Sequence, residues 1–354
     1  MAACPECVTR GGAAGDLGDE LRTRSRLSTR DDLHCAVRSG GSWGRKRRPR
    51  ASPFRPRRRS LDFRPVKVIF HADDFGLTRA VNAGIVEAHA RGLLRSASLM
   101  PSAEAAEDAA SLARSVPDLD VGLHVTLVEE RPLLPAERVP SLVTGGRFWP
   151  SHATVFARYA AGRWSADEAA AETAAQWERL AALGIRSSHC DGHQHLHLLP
   201  QLFPRVVQLA RRHGVRFVRT WLGGPAGAGS ALRRATRVAV NGVAALAWRR
   251  VPPADRDAMR RFVTIGFLEA GGRLTASRLL AVLDDLRARG VGLVEVMLHP
   301  GHRDAETERK YGHWGYRWDS DRELLLDPAL PEALARRGIE PTSFRALASD
   351  AGAA

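Results

Sequence analysis

Few features here are those of a secreted or membrane-embedded protein. No apolar run approaches the ~18 residues that crossing a bilayer requires. The nearest, Val238 to Trp248, is shorter and flanked by arginines, and it reads as a buried or amphipathic helix or as a membrane-surface contact. The N-terminus has no apolar stretch of the kind a secretory signal carries. Cysteine is scarce: of four, Cys4, Cys7 and Cys35 precede residue 66, and only Cys190 follows it. Cys4 and Cys7 form a lone C-x-x-C with no second pair, which is a weak zinc or redox signal. The rest of the chain needs no disulfide, and a reducing cytoplasm fits. The glycine-rich string GGPAGAGS has the wrong spacing for a dinucleotide fingerprint and reads as a flexible connection. No repeat of fixed period is visible.

Positive charge, by contrast, is abundant and uneven. The formal net charge is +14, and residues 1–65 hold 16 Lys and Arg against 7 Asp and Glu, a net of +9. A run such as GRKRRPRASPFRPRRRS could meet nucleic acid or anionic lipid through charge alone. Without the aromatic interleaving of a nucleic-acid module, the simpler reading is a disordered basic extension over 1–65, with no specific nucleic-acid partner. Asp16, Asp19, Glu20, Asp31 and Asp32 argue against a transit peptide. A third reading is that translation starts downstream, so that the segment is not made.

From Val66 onward the pattern alternates. VKVIFHAD is a β-branched apolar run, as expected of a strand buried on both faces. Thr78 then caps a helix that runs to Arg91 and stops at Gly92. Strands are expected at Arg95–Met100, Val121–Val125, Ile185–Cys190, Val215–Thr220, Phe262–Gly266 and Val291–Leu298. Helices are expected at Ala103–Ser115, Ala166–Leu183 and Leu202–His213, from the Gly223–Gly229 loop to Arg250, at Ala276–Arg289, and last at Asp321–Arg337. Such alternation implies a parallel sheet with crossover helices. Seven or eight units over 66–348 suit a distorted (β/α) parallel barrel of seven to eight strands better than an open sheet.

The chemistry sits at the ends of the expected strands. His189, His193, His195 and His197 fall within nine residues of a chain with 13 histidines. HADDFG supplies His71, Asp73 and Asp74; GLHVTL supplies His124; LHPGH supplies His299 and His302. Strand C-termini of a parallel barrel converge on one face, where active sites form. Histidine with carboxylate is the usual donor set of a catalytic divalent metal. On an extended segment His193, His195 and His197 would share one side.

The strings ADDFGLT, NAGIVEAHARGLLRSASLM, VGLHVTL with RPLLP, SHCDGHQHLHLLPQLFP and EVMLHPGH resemble those of the YdjC-like carbohydrate deacetylases, which include the chitooligosaccharide deacetylase. The resemblance covers Val66 to Ala348 and none of the first 65 residues. It implies a distorted barrel of the glycoside hydrolase/deacetylase type and a hydrolase that removes acetyl groups from N-acetylated sugars. VTLVEERPLLP leans towards members tied to hopanoid biosynthesis, which implies a lipid-linked N-acetylglucosaminyl substrate. Carried onto this sequence, the resemblance gives Asp74, His124 and His193 as metal ligands, for Mg²⁺ or Zn²⁺. Asp73 becomes the general base or a group orienting one of the ligands, and His299 the acid or oxyanion partner, or a structural strand-end histidine. Asp191, His195 and His197 are expected to be substrate contacts, further ligands or supporting groups, and His71 has no assigned role. Tyr311, Trp314, Tyr316 and Trp318 either stack on a sugar or pack their loop. Two other classes stay open: a phosphoesterase, and a metal-binding barrel without catalysis. A homo-oligomer is compatible with all of these.

Overall fold

The computed structural model describes residues 65–222, 231–266 and 272–350. The basic extension through residue 64 and the Gly223–Gly229 connection lie outside the described residues. The elements run β1 Val66–Phe75, α1 Arg79–Arg91, β2 Ser96–Leu99, α2 Ala106–Ser115 and β3 Asp120–Val125, then a small hairpin of β4 Val143–Thr144 and β5 Arg147–Phe148. There follow α3 His152–Ala160, α4 Ala166–Ala182, β6 Cys190–Gly192, a 3₁₀ turn His193–Leu198, α5 Phe203–Arg212, β7 Trp221–Leu222 and α6 Ala231–Arg250. The rest is α7 Pro253–Ala258, β8 Val263–Ile265, α8 Ala276–Ala288, β9 Leu293–Leu298, α9 Ala305–Tyr311, α10 Trp318–Leu326, α11 Leu330–Ala335, β10 Ile339–Pro341 and α12 Phe344–Asp350.

Seven strands lie in the order β6-β3-β2-β1-β9-β8-β7, all parallel, with β10 added beside the start of β1. The sheet curls until its edges meet: Cys190 of β6 bridges to Val218, just ahead of β7, its amide donating to the Phe217 carbonyl and its carbonyl accepting from the Arg219 amide. This is the expected distorted parallel barrel, held closed at that seam by a few bonds instead of a full ladder. The strand expected at Ile185–Cys190 shortens to Cys190–Gly192, and the one expected at Val215–Thr220 supplies only the Val218 bridge and single backbone bonds, the ladder strand β7 starting after it at Trp221. The expected last helix is split into α10 and α11, and β10 and α12 follow.

Strand alternation sorts the side chains by chemistry. Val66, Val68, Phe70 and Ala72 join the main apolar core between sheet and helices, while Ile69 belongs to a separate cluster with Phe217, Phe262, Phe344 and Leu347. His71 and Asp73 continue the Ile69 side and meet Ser98, Asp191, Arg219 and Glu295 inside the curl. The apolar core therefore lies outside the barrel, and its lumen is polar above a plug formed around Phe344.

Helix α1 is seated as its sequence dictates. The Thr78 hydroxyl accepts from the Val81 amide, the expected N-cap. Gly84 faces the loop after β9, and a Cβ there would lie 2.4 Å from Gly301 Cα. Gly92 ends the helix where expected, in an extended conformation, φ −127°. Its missing Cβ makes room for the Leu325 carbonyl, 2.4 Å from where that atom would be.

Candidate active site

Two adjacent aspartates open the site, and the backbone separates them. The β1–β2 register shifts between Ala72 and Phe75, and Asp74 takes φ +64°. Both carboxylates are buried yet point to different partners. Asp73 is held in a two-pronged grip by Arg219, at 2.8 and 2.7 Å. The Asp74 Oδ1 accepts from His193 Nδ1 at 2.9 Å and lies 3.2 Å from His124 Nε2. Ligand atoms of Asp74, His124 and His193 all fall within 4.8 Å of one another.

Asp191 lies beneath this trio. It accepts from His124 Nδ1 at 2.7 Å, from the Ser98 hydroxyl at 3.0 Å, and contacts His71 Nε2 and Arg219 at 3.1 and 2.7 Å. That fixes the His124 tautomer and leaves Nε2 turned to Asp74, the arrangement by which a carboxylate orients a ligating imidazole. Both oxygens of Asp191 are committed to protein groups, Oδ1 to His124 and Oδ2 to Ser98, His71 and Arg219.

The histidine string is not extended. After Gly192 the chain turns into the 3₁₀ segment, with Gln194 and His195 at φ 50° and 57°. The shared face expected of His193, His195 and His197 is thereby broken. His193 reaches Asp74; His197 is buried against the Arg219 carbonyl at 3.0 Å; His195 is half-buried beside His197. His189 sits lower, stacked on Phe344 with ring centroids 4.3 Å apart. His299 places Nε2 3.8 Å from Asp74 Oδ2, and its amide donates to Asp321. His302 is on the surface with Glu87.

Several participants carry no motif of their own. Arg219 is fully buried and also meets Glu295 at 2.8 and 2.9 Å. Charged residues within two apolar strand-like strings, two arginines in VRFVRT and one glutamate in LVEVML, were the available signal. His71, given no role from sequence, lies within 3.3 Å of Asp73, Asp191 and Ser98. Glu129, at φ +66°, stands at the rim near His193, Gln194 and Trp314. Among the described residues, the four non-glycine positions with positive φ are Asp74, Glu129, Gln194 and His195. Each such conformation costs roughly 1–3 kcal/mol, and such strain gathers at functional sites. Trp314 leans on His193 and Tyr316 on His299, with centroids 5.1 and 4.5 Å apart, while Tyr311 and Trp318 are buried packing residues.

The charge balance says what would fit. Asp73, Asp74, Asp191 and Glu295 are four buried carboxylates, and Arg219 is the one guanidinium among them. Two other clusters, His71–Asp191–Glu295 and Asp73–His124–Asp191, have ligand-like spacing, but Arg219 already neutralises their carboxylates. No guanidinium reaches the Asp74 cluster, whose only positive charge is that of His124 and His193 when protonated, and Asp74 Oδ2 is buried with no hydrogen-bond donor. A divalent cation there suits the donors and the charge.

The titration behaviour agrees. Burial opposes ionisation of Asp74, yet the His193 charge and hydrogen bonds from His124 and His193 hold it well below the usual carboxylate range. Burial would lower His124 and His193, but Asp191 and Asp74 overcome it and push them to about 10 and about 9. Asp73 likewise stays ionised against burial because of Arg219. Burial drives His197 down to about 4, leaving a neutral, structural imidazole.

Comparison with known proteins adds a common theme. Residues 67–336 match the family model described as YdjC-like protein. A chitooligosaccharide deacetylase of Enterobacter sp. (strain 638) is 33% identical over 284 residues, covering 78% of this chain and 97% of the relative. A carbohydrate deacetylase of Geobacillus stearothermophilus is 31% identical over 283 residues, covering 79% and 98%. Among solved structures, a candidate cellobiose-phosphate cleavage protein of Enterococcus faecalis V583 superposes with a TM-score of 0.61 at 26% identity, covering 80% of this chain and 99% of that one.

Proposed function

The chain belongs to the YdjC-like protein family, and from that premise we propose that it is a metal-dependent hydrolase removing the acetyl group from an N-acetylated sugar. The observation that carries the reading is the buried Asp74–His124–His193 cluster standing next to Asp73 in the grip of Arg219. The deacetylase names of the relatives supply the bond that is cleaved. A divalent cation held by Asp74, His124 and His193, magnesium or zinc, would polarise the acetyl carbonyl and lower the pKa of a water.

The chain's own groups do the rest. Arg219 keeps the Asp73 carboxylate ionised and aimed, so that it accepts the proton of the attacking water. Water adds to the acetyl carbon, the carbon–nitrogen bond breaks, and acetate and a free amine result. His299, beside Asp74, protonates the departing nitrogen. Asp191 positions His124, and His197 supports the turn from which His193 projects. Trp314 and Tyr316 offer aromatic faces to a sugar ring.

The catalytic unit in this reading is 66–348, and a reducing cytoplasm suits the buried, unpaired Cys190. The substrate is an N-acetylglucosaminyl oligosaccharide or its lipid-linked counterpart. A phosphoesterase would need cationic clamps on phosphate, whereas Arg219 is committed to carboxylates.

Acetate release should be measured with Mg²⁺ or Zn²⁺ against soluble and lipid-linked N-acetylglucosaminyl substrates, with phosphate release from sugar phosphates in parallel. Acetate from at least one amide substrate, lost in Asp73→Asn, is the expected result. Phosphate release alone, or no product at all, overturns the proposal.

A further inference from the structure

Helix α6 shows an unusual surface for a helix on the outside of a barrel. Its 20 residues include five arginines and no carboxylate. Five large apolar side chains are exposed among the described residues, and three of them, Val238, Val243 and Leu246, belong to α6; Val238 is 71% exposed. Residues four apart share a helix face. One such ridge reads Arg234, Val238, Gly242, Leu246, Arg250, and every member is exposed. It extends about 24 Å at 1.5 Å per residue. An apolar strip thus runs between basic ends, while Ala244 and Ala247 on the other side are buried.

From this surface we infer that α6 is a docking surface for an anionic lipid bilayer. An interfacial helix of this type sinks its apolar strip to the depth of the acyl boundary while its cationic flanks meet anionic headgroups. Charge excludes the nearer alternatives. A second copy would set arginine against arginine: antiparallel pairing brings Arg234 to Arg250, and parallel pairing brings each residue to itself. The chain's own first 65 residues carry a net +9 and would be repelled as well. The strip is also small-featured, with Gly242 at its centre, which suits a fluid surface better than a shape-matched protein partner. No helix among the described residues is long and apolar enough to span a membrane, so the contact proposed is one in the membrane plane.

The test is flotation of the full-length chain with vesicles of phosphatidylcholine alone and of phosphatidylcholine mixed equally with phosphatidylglycerol. Binding to the anionic vesicles alone is expected. The double variant Val238→Asp with Leu246→Asp should reduce it at least ~10-fold, because apolar burial and charge act together. That variant keeps every basic residue, including those of the N-terminal segment, and both positions are exposed and outside the site; an unchanged Tm checks its fold. Equal flotation of variant and wild type would assign the binding to charge elsewhere and overturn the proposal. So would absence of binding by the wild type. A dimer in solution that the variant abolishes, without vesicle binding, would give the face to a second copy instead. None of these readouts uses deacetylation, so the proposed activity stands or falls separately.

Discussion

Asp73 and Asp74 are the same side chain one residue apart, and the backbone makes them different groups. The bulge and the left-handed φ of Asp74 direct it to two imidazoles, while Asp73 stays on the lumen side with Arg219. Asp73→Asn should therefore keep its metal by elemental analysis and lose about 10²–10⁴-fold, chiefly in kcat. His124→Ala and His193→Ala should lose metal and activity together. Metal loss in Asp73→Asn would reverse the two aspartates' roles. Arg219 sets a second expectation at this scale. Removing it as Arg219→Met leaves Asp73, Asp191 and Glu295 without their cation. Breaking a buried ion pair from one side typically costs 3–5 kcal/mol, so about that loss should appear in denaturant unfolding. Arg219→Lys should recover only part, because one ammonium cannot match a fork that meets three carboxylates. Wild-type stability in Arg219→Met would mean that the network is not held by this guanidinium.

At the scale of elements, helices position the loops that carry the rim. The Gln176 side chain of α4 pairs with both the amide and the carbonyl of Thr126, and Glu172 accepts from the amides of Leu133 and Leu134. The segment bearing Glu129 is thus fixed from behind. Helix α1 braces the other side, where Gly84 packs on Gly301, two residues beyond His299. Alanine is the better helix former, yet its Cβ would have to push backbone against backbone. Gly84→Ala should lower stability by about 1–3 kcal/mol, the usual range for overpacking. It should also lower activity through displaced His299, with metal content unchanged. A variant more stable than wild type in thermal unfolding would show that α1 can shift freely.

At the scale of the whole molecule, the buried charge couples folding, protons and metal. In the metal-free protein His124 and His193 titrate at about 10 and about 9, above the ordinary imidazole value. Their protonated forms stabilise the fold; the contribution is complete below about pH 6.5 and is lost as pH rises through 9 to 10. Metal requires neutral imidazoles and displaces those protons. Metal-free protein should therefore lose Tm between pH 7 and 10, while the Tm gain on adding metal should grow over the same interval. Titration calorimetry at pH 7 in buffers of different ionisation enthalpy should register proton release on metal binding. A binding heat independent of buffer would rule out protonated histidines in the metal-free site.

Periodicity, glycine stops and the Thr78 cap were enough to establish the parallel α/β alternation, because each depends on residues close in sequence. The gathering of Asp74, His124 and His193 was legible for a related reason: in a parallel barrel every strand's C-terminal end faces the same way, so position along a strand already predicts position in space. Other features depend on which strand lies across the lumen, and no local pattern encodes that. Arg219 reads as one more strand-end arginine until Asp73, Asp191 and Glu295 are seen around it. Asp191 reads as a substrate contact from its motif, and only the fold shows its oxygens shared among His124, Ser98, His71 and Arg219. The histidine alternation failed because the chain leaves its strand at Gly192 and enters left-handed geometry, a choice made by the packing of His197 and the grip on His193. The sequence by itself determined the order of the elements and the chemical kinds of side chain available. Closure of the barrel decided which charges compensate one another, because only in three dimensions does one buried guanidinium meet three carboxylates and leave the fourth, Asp74, to His124 and His193.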